Sequence, residues 1–275
     1  RRPPRSTLFP YTTLFRSITF TGSDTTGAKV YETAAKSLKR VSLELGGKSP
    51  NIVFEDADLT AAAAGAISGI FAATGQTCIA GSRLLVQSSI KEQFVARVLE
   101  LAKSAKIGDP MQADTNVGPI TTPAQYKKVL DYIDIAKAEG ARCLLGGRPA
   151  SGDGIKGGQF VEPTIFTDVD NSMRIAREEV FGPVLAAVTF TDEDEAVKLA
   201  NDTPYGLSGS VWTENGAKAL RVARRVESGV LSINSNTSVR VATPFGGFKQ
   251  SGFGRDKSLH ALDAYTDLKT AWIAL

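Results

Sequence analysis

The side chain best placed to act as a nucleophile is Cys78, which lies in the segment GQTCIAGSR of this 275-residue sequence. A thiolate attacks electrophilic carbon, and the small Ala80 and Gly81 that follow would let a substrate approach the sulfur closely. A lone cysteine without further context is more often a buried structural residue. Cys143 keeps that structural interpretation, because it opens the apolar run Cys143-Leu144-Leu145, which two glycines close. Other motifs must therefore decide the role of Cys78.

Two glutamates have the surroundings that acid–base or binding chemistry needs. Glu44 lies between two leucines in LELGGKSP, and apolar neighbours shift a carboxyl pKa towards neutrality, which suits a general base. Glu179 in EEVFGPV is a candidate acceptor of hydrogen bonds from sugar hydroxyls, whereas Glu178 is interpreted as an exposed charge. The alternative for Glu44 is a solvated charge at the end of a strand.

A glycine turn, FTGSDTTG, indicates a phosphate site at the start of a helix. Gly22 would permit a tight turn, Ser23 would open the helix, and Gly27 would allow close packing. The segment lacks the GxGxxG pattern of many dinucleotide-binding turns, so a simple helix cap is an alternative of similar weight.

The sequence gives little support for histidine-based or metal-based catalysis, for nucleic-acid binding or for a membrane protein. His260, the only histidine, lies in a helical pattern with Leu259 and Leu262, and we interpret it as structural rather than as a partner of Cys78. No spacing of His and Cys residues fits a metal site. With 32 basic and 29 acidic residues, the chain makes no case for nucleic acid. Two cysteines in a chain of this length favour a reduced, cytoplasmic setting, and no apolar run has the roughly 20 residues of a membrane span.

Short β-rich runs alternate with helical patterns from Ile18 onwards, which predicts an α/β fold with a largely parallel sheet. The predicted strands are 18–21, 41–45, 83–87, 143–145, 184–190, 208–212 and 230–234. The predicted helices are 23–38, 59–73, 91–106, 125–139, 193–201, 217–226 and 256–264, and 146–158 is predicted to be a surface loop. The first 17 residues lack such patterning and resemble a translated sequencing adapter, so we favour a non-native leader over the alternative of a disordered native N-terminus.

Five segments in order resemble motifs of the aldehyde dehydrogenase superfamily: FTGSDTTG, LELGGKSPNIVF, GQTCIAGSR, EEVFGPV and PFGGFKQSGFGRD. Together they are strongly specific, although any one alone would be weak evidence. The resemblance implies that Cys78 is the nucleophile and Glu44 the base that activates water. It also implies NAD or NADP binding by Gly22, Ser23, Gly27, Leu45, Glu179 and Phe181, and a place for Phe245 in the substrate tunnel beside a loop at 234–243.

The implied reaction oxidises an aldehyde to a carboxylic acid through a thiohemiacetal and a thioester on Cys78. Glu44 favours hydrolysis of the thioester over transfer to coenzyme A, because acylating relatives typically lack that carboxylate. The resemblance divides the chain into a remnant of the dinucleotide-binding domain (18–45), an open parallel-sheet catalytic domain (46–250), and a return segment with an oligomerisation strand (251–275).

Most of the cofactor domain of the family has no counterpart in the chain. We therefore weigh an N-terminally truncated dehydrogenase against a catalytically silent fragment or a residual thiol esterase. For the full-length protein the resemblance implies a homodimer or homotetramer. The C-terminal segment is similar to members that oxidise aminoaldehydes such as gamma-glutamyl-aminobutyraldehyde.

Overall fold

Two main sheets organise the computed structural model, which describes residues 16–152, 154–236 and 239–274. The strands are β1 Ser17–Thr21, β2 Arg40–Glu44, β3 Pro50–Val53, β4 Arg83–Gln87, β5 Arg142–Leu145, β6 Thr164–Thr167, β7 Val184–Phe190, β8 Tyr205–Gly206, β9 Ser208–Trp212, β10 Val230–Ile233, β11 Phe248–Lys249 and β12 Gly252–Phe253. The helices are α1 Asp24–Ala35, α2 Leu59–Phe71, α3 Lys91–Lys103, α4 Pro123–Ala138, α5 Arg174–Arg177, α6 Glu193–Asn201 and α7 Gly216–Arg225. Short 3-10 segments lie at Ala72–Gly75, Ser88–Ile90 and Leu259–Ala264.

The larger sheet has seven strands in the order β10-β9-β3-β4-β7-β6-β5. Every neighbouring pair is parallel except β5 with β6, which is antiparallel. Successive side chains of β4 point to opposite faces, so Leu85 enters one apolar cluster while Leu84 and Val86 enter the other. Both faces are therefore covered, as a parallel sheet requires, and the predicted α/β fold class is confirmed.

The smaller sheet carries the glycine turn and Glu44. Strands β1 and β2 are parallel, and β12 from the far end of the chain joins β2 in antiparallel register, with Gly252 opposite Glu44. Helix α1 connects β1 to β2, and the Ser23 side chain caps it by accepting a hydrogen bond of 3.2 Å from the Thr26 N–H. The C-terminal return segment thus reaches the end of the strand on which Glu44 lies.

Several boundaries differ from those predicted, for local reasons. Helix α1 ends at Ala35 rather than at residue 38, because Leu38 adopts a left-handed φ of 52°. Helix α2 ends at Phe71, because Ala73 and Thr74 are left-handed. Strands β3 and β6 were not predicted, because each has only four residues and lies beside a proline, which hides its pattern.

Two further expectations concern the ends of the chain, and a third concerns a membrane span. Residues 1–15 of the predicted leader lie outside the described residues, and Ser17 already pairs with Arg40 in the smaller sheet. The oligomerisation strand stays a prediction, since residues 268–274 form no regular element in the described chain and Leu268 and Trp272 are exposed. Within the described residues, no helix has the length and apolar character needed to cross a membrane.

A helix glycine beneath a tryptophan gives the first prediction. A Cβ added to Gly65 in α2 would lie 2.2 Å from Cζ2 of Trp212, whose indole is held by a 2.7 Å hydrogen bond from Nε1 to Oδ1 of Asn51. We expect Gly65→Ala to lower the free energy of unfolding by about 1–3 kcal/mol through overpacking, despite the better helix propensity of alanine. Urea unfolding measures this change.

The same helix supplies the control. A Cβ on Gly69 would meet nothing nearer than Cβ of Asn236 at 3.7 Å, so Gly69→Ala should leave stability unchanged or raise it by up to about 1 kcal/mol. Equal effects of the two substitutions would contradict the packing argument.

Candidate active site

Three of the predicted motifs meet at Gly46 and Gly47, directly after β2. The Gly47 N–H donates a 2.9 Å hydrogen bond to Oε1 of Glu179, and a Cβ on Gly46 would lie 2.7 Å from Oε2 of the same carboxylate. A Cβ on Gly47 would lie 2.3 Å from the carbonyl oxygen of Cys78. Only glycine allows this approach, so the segments that carry Glu44, Cys78 and Glu179 converge here.

Cys78 follows a strained turn that is packed against the Glu179 segment. Ala73 and Thr74 have φ values of 49° and 58°, and a Cβ on Gly75 would lie 2.1 Å from the carbonyl oxygen of Gly182. The thiol is half-buried. Burial raises its pKa, as do the carboxylates of Glu179 and Glu44, while the backbone N–H groups of Cys78 and Ile79 favour the thiolate. The same two N–H groups are candidate donors to a developing oxyanion.

Glu44 is a buried carboxyl group at the end of β2. Its side chain is 3% exposed, and neither carboxyl oxygen has a hydrogen-bond partner among the described residues. Burial raises its pKa to about 8, the nearby charge of Asp256 adds to this shift, and Arg255 opposes it. A Cβ on Gly246 would lie 3.0 Å from Oε1 of Glu44, so PFGGFKQSG packs directly against the carboxyl group. Such a group is suited to taking up a proton near neutral pH.

Glu179 and its neighbour Glu178 have different surroundings. Glu178 makes a two-point ion pair with Arg174 and accepts a hydrogen bond from the Tyr132 hydroxyl, so the expectation of a charge near the surface agrees with its position. Burial raises the pKa of Glu179, while the Gly47 N–H and two lysine charges lower it. With Oε1 bound to Gly47, Oε2 faces Gly46 and is the free acceptor for a ligand hydroxyl.

The glycine turn lies beside this convergence. The Gly22 N–H donates to the Glu44 carbonyl oxygen at 3.0 Å, which ties the turn to the end of β2. A Cβ on Gly27 would lie 2.5 Å from Cδ2 of Leu45, so the first turn of α1 rests on that leucine, as the packing argument from sequence expected. The N-terminus of α1, the turn and the Glu179 carboxylate thus lie along one side of the site, and this set fits a nucleotide with phosphate and ribose hydroxyls.

The remaining candidates occupy less central positions. Phe181 has a φ of 58°, and its carbonyl oxygen accepts a 2.9 Å hydrogen bond from Gln125. Phe245 is half-buried next to Gly246, and its backbone pairs with Asp256. Cys143 donates to the Leu145 carbonyl oxygen, and His260 is exposed on a 3-10 segment. The predicted substrate loop 234–243 is described except for residues 237 and 238.

Sequence reasoning did not single out several ionisable residues around the site. Lys48 is 2% exposed, and burial followed by the charge of Arg83 lowers its pKa to about 7. The charges of Lys48 and Lys128 act on Glu179, and that of Asp256 acts on Glu44. Lys48 and Asp256 lie inside quoted motifs, which was an available signal, whereas Lys128 lies on a helix far away in sequence.

The raised pKa of Glu44 predicts a pH-dependent stability. Its folded-state pKa of about 8 exceeds the usual 4.5, so the stability from protonated Glu44 is complete below about pH 4.5 and is lost as the pH rises through about 8. The free energy of unfolding of Glu44→Gln should therefore increasingly exceed that of the parent chain between pH 5 and 8. Urea unfolding at several pH values measures the difference. Glu100→Gln, at an exposed position of α3, is the matched control, and a pH-independent difference for Glu44→Gln would contradict the assignment.

Comparison with known proteins gives the family of this chain. The model of the aldehyde dehydrogenase family matches residues 11–271. The betaine aldehyde dehydrogenase 1 of Rhizobium meliloti is 49% identical over 94% of the chain and 53% of its own length, and that of Sinorhizobium fredii is 48% identical over the same shares. The chain therefore spans about half the length of the curated relatives it matches.

Solved structures agree with the sequence comparison. The betaine aldehyde dehydrogenase of Staphylococcus aureus, in complex with NAD+, superposes with a TM-score of 0.89 and 43% identity over 91% of this chain and 50% of that one. The indole-3-acetaldehyde dehydrogenase of P. syringae, also with NAD+, gives 0.91 and 49% over 94% and 52%. The chain belongs to the aldehyde dehydrogenase family.

Proposed function

We propose that this chain carries the catalytic residues of an NAD- or NADP-dependent oxidation of an aldehyde to a carboxylic acid. The observation that carries the proposal is the convergence of the Cys78, Glu44 and Glu179 segments on Gly46 and Gly47. A thiol, a carboxyl group of raised pKa and a ligand-binding carboxylate are the three groups that the reaction requires of the protein.

In the first half-reaction, the Cys78 thiolate forms a C–S bond to the aldehyde carbon. The carbonyl oxygen gains the negative charge, and the N–H groups of Cys78 and Ile79 are placed to stabilise it. Burial and two carboxylates raise the thiol pKa. The same N–H groups are therefore also needed to stabilise the thiolate before it attacks. Glu44 can accept the proton released from the thiol, and it must pass this proton to solvent before it can act as a base in the second half-reaction.

The cofactor would be held by the glycine turn and by Glu179. Gly22, Ser23 and Gly27 form the turn at the start of α1, Leu45 supports it, and Glu179 offers Oε2, with Phe181 two residues further along. When bound, a nicotinamide cofactor supplies the hydride acceptor that turns the thiohemiacetal into a thioester.

In the second half-reaction, Glu44 takes a proton from water as its oxygen bonds to the thioester carbon. The C–S bond then breaks, the carboxylic acid leaves, and Cys78 is restored as a thiolate. A pKa of about 8 makes Glu44 a stronger base than an ordinary glutamate, while a fraction of it is still ionised at neutral pH. The carboxyl group therefore favours hydrolysis as the fate of the thioester.

We extend the proposal to substrate, assembly and location. The ending GRDKSLHALDAYTDLKTAWI resembles aminoaldehyde-oxidising members, and three of the four relatives above are named for betaine aldehyde, which also carries a nitrogen cation. We infer an aminoaldehyde substrate, a homodimer or homotetramer for the full-length protein, and a cytoplasmic location that suits two free cysteines.

A second candidate activity is hydrolysis of activated esters or thioesters without cofactor. The chain spans about half the length of its relatives, and ester hydrolysis would need none of the cofactor contacts. It needs only a thiol nucleophile and a base, which are the roles proposed for Cys78 and Glu44.

The oxidation is tested by following reduced cofactor in the longest reading frame that encodes this chain. Cys78→Ala should lower kcat on the order of 1,000-fold or more, because the covalent intermediate is lost. Glu44→Gln should lower it by about 100-fold or more yet retain a burst of reduced cofactor, because acylation precedes hydrolysis. Cys143→Ala is the control and should match the parent. In a panel containing an aminoaldehyde, betaine aldehyde and indole-3-acetaldehyde, we expect the aminoaldehyde to give the highest kcat/KM. Turnover that survives Cys78→Ala would refute the nucleophile.

The second candidate is tested on the 275-residue chain alone with p-nitrophenyl acetate and no cofactor. We expect release of p-nitrophenol that is abolished by Cys78→Ala and reduced to a single turnover by Glu44→Gln, because the acyl group then stays on the sulfur. Ester hydrolysis with no oxidation in the same chain would favour the esterase for this chain. Hydrolysis that persists without Cys78 would exclude it.

A further inference from the structure

Arg83, five residues after the nucleophile, is a fully buried guanidinium group with an unusual set of partners. Its exposed fraction is 0%, and among the described residues it makes no ion pair with a carboxylate. Burial lowers its pKa to about 10. A buried charge is costly and is commonly replaceable by apolar side chains in a stable core, so its hydrogen bonds require an explanation.

The four acceptors around Arg83 are neutral and belong to three separate segments. Nε donates to the Lys48 carbonyl oxygen at 3.0 Å, directly after Gly46 and Gly47. Nη1 and Nη2 donate to the carbonyl oxygens of Leu199 at 2.8 Å and Ala200 at 2.7 Å, in the last turn of α6. There the negative end of the helix dipole compensates part of the charge. The guanidinium group of Arg83 thus connects the Gly46–Gly47 segment to helix α6.

The fourth acceptor extends the contact towards Glu179. Nη1 of Arg83 donates to Oδ1 of Asn171 at 3.3 Å, and Nδ2 of Asn171 donates to Oδ2 of Asp202 at 3.0 Å. The Asp202 carboxylate accepts hydrogen bonds of 2.9 and 3.0 Å from Arg177, the last residue of α5. Glu179 lies two residues after Arg177, and its carboxylate accepts the hydrogen bond from the Gly47 N–H.

These contacts close a circuit that joins the nucleophile segment, the Gly46–Gly47 segment and the Glu179 segment. It starts on the nucleophile segment at Arg83, passes through the Lys48 carbonyl to Gly47, crosses to Glu179, and returns through Arg177, Asp202 and Asn171. The links are hydrogen bonds and stretches of chain no longer than two residues, so these three segments cannot shift independently. The geometry constrains Glu179 and Gly47 relative to the Cys78 backbone.

We propose that Arg83 and Asn171 are positioning residues that hold Glu179 and Gly47 at their places beside Cys78. This inference rests on the proposed function of Cys78 and Glu179. A guanidinium group is suited to the role because its planar fork donates in fixed directions to four oxygens at once, which a lysine ammonium group cannot reproduce. The ordinary alternative is that Arg83 only stabilises the fold.

The alkylation of Cys78 distinguishes these alternatives without any cofactor or aldehyde. In a Cys143→Ser background, iodoacetamide reports on Cys78 alone, and the pH profile of its rate reports the electrostatic surroundings of the thiol. Those surroundings are the carboxylates of Glu179 and Glu44, together with the charged groups that act on these two: Lys48, Lys128, Asp24, Asp256 and Arg255.

Arg83→Lys keeps the charge but loses the directed hydrogen bonds. We expect the midpoint of the pH profile to fall by about 0.5–1 unit, because Glu179 no longer stays close enough to raise the thiol pKa fully. Arg148→Lys, in an exposed ion pair with Glu162, is the matched control and should leave the profile unchanged. A lower Tm with an unchanged profile in Arg83→Lys would overturn the proposal in favour of a purely structural role.

Asn171 provides an independent test if the Arg83→Lys variant does not fold. Asn171→Asp would place a carboxylate against that of Asp202, and we expect it to reproduce the fall in midpoint. Adding Asp202→Asn places an amide donor opposite the new carboxylate at position 171. This double variant should regain the pH profile of the parent. No effect of the single substitution, or no rescue by the second, would contradict the circuit. Because alkylation needs no turnover, a failure of the proposed oxidation would leave this result unaffected.

Discussion

The close approach at Gly47 is the constraint on which the rest of the site depends. Its N–H binds Glu179, while its Cα lies too near the Cys78 carbonyl oxygen for any side chain. One residue without a Cβ therefore sets the spacing between the nucleophile segment and the carboxylate assigned to ribose binding. The buried Ser251 supports this position, because its hydroxyl donates to the Gly46 carbonyl oxygen at 2.7 Å and accepts from the Gly206 N–H.

Burial at this junction drives the ionisable groups towards neutrality. Glu44 and Lys48 have pKa values of about 8 and about 7, and the Cys78 thiol pKa is raised. In each case burial is the largest cause, so the shifts follow from packing rather than from specific ion pairs. A site of this kind exchanges protons easily at neutral pH, which a sequence of thiol attack and water activation requires.

The fold and the central residues could be predicted because their signals are local. Apolar periodicity located β4, β7, β9 and α6 at their observed bounds, and the five motifs carried Cys78, Glu44 and Glu179. Sequence did not reveal contacts that depend on tertiary packing. Arg83 gives no sign in GSRLLV that its partners are 35 to 117 residues away, and the charge of Lys128 is brought beside Glu179 only by the folding of α4. The short β3 and β6 were missed because four residues do not establish a period.

The pairing of β12 with β2 explains why the C-terminal motif belongs to the same site as the glycine turn. Gly252 lies opposite Glu44, and the Leu45 N–H donates to the Ser251 carbonyl oxygen at 3.0 Å. The return segment therefore holds the backbone of β2 at Glu44 and at the residue that follows it. The next residues along that segment, Arg255 and Asp256, act on the Glu44 carboxyl group with opposite signs. The basicity of Glu44 is therefore set jointly by a strand near the start of the chain and a segment more than 200 residues later. Loss of the return segment would remove a hydrogen-bonded neighbour of β2 and both of these charges at once, so the three-stranded sheet is as much a part of the candidate site as the turn before Cys78.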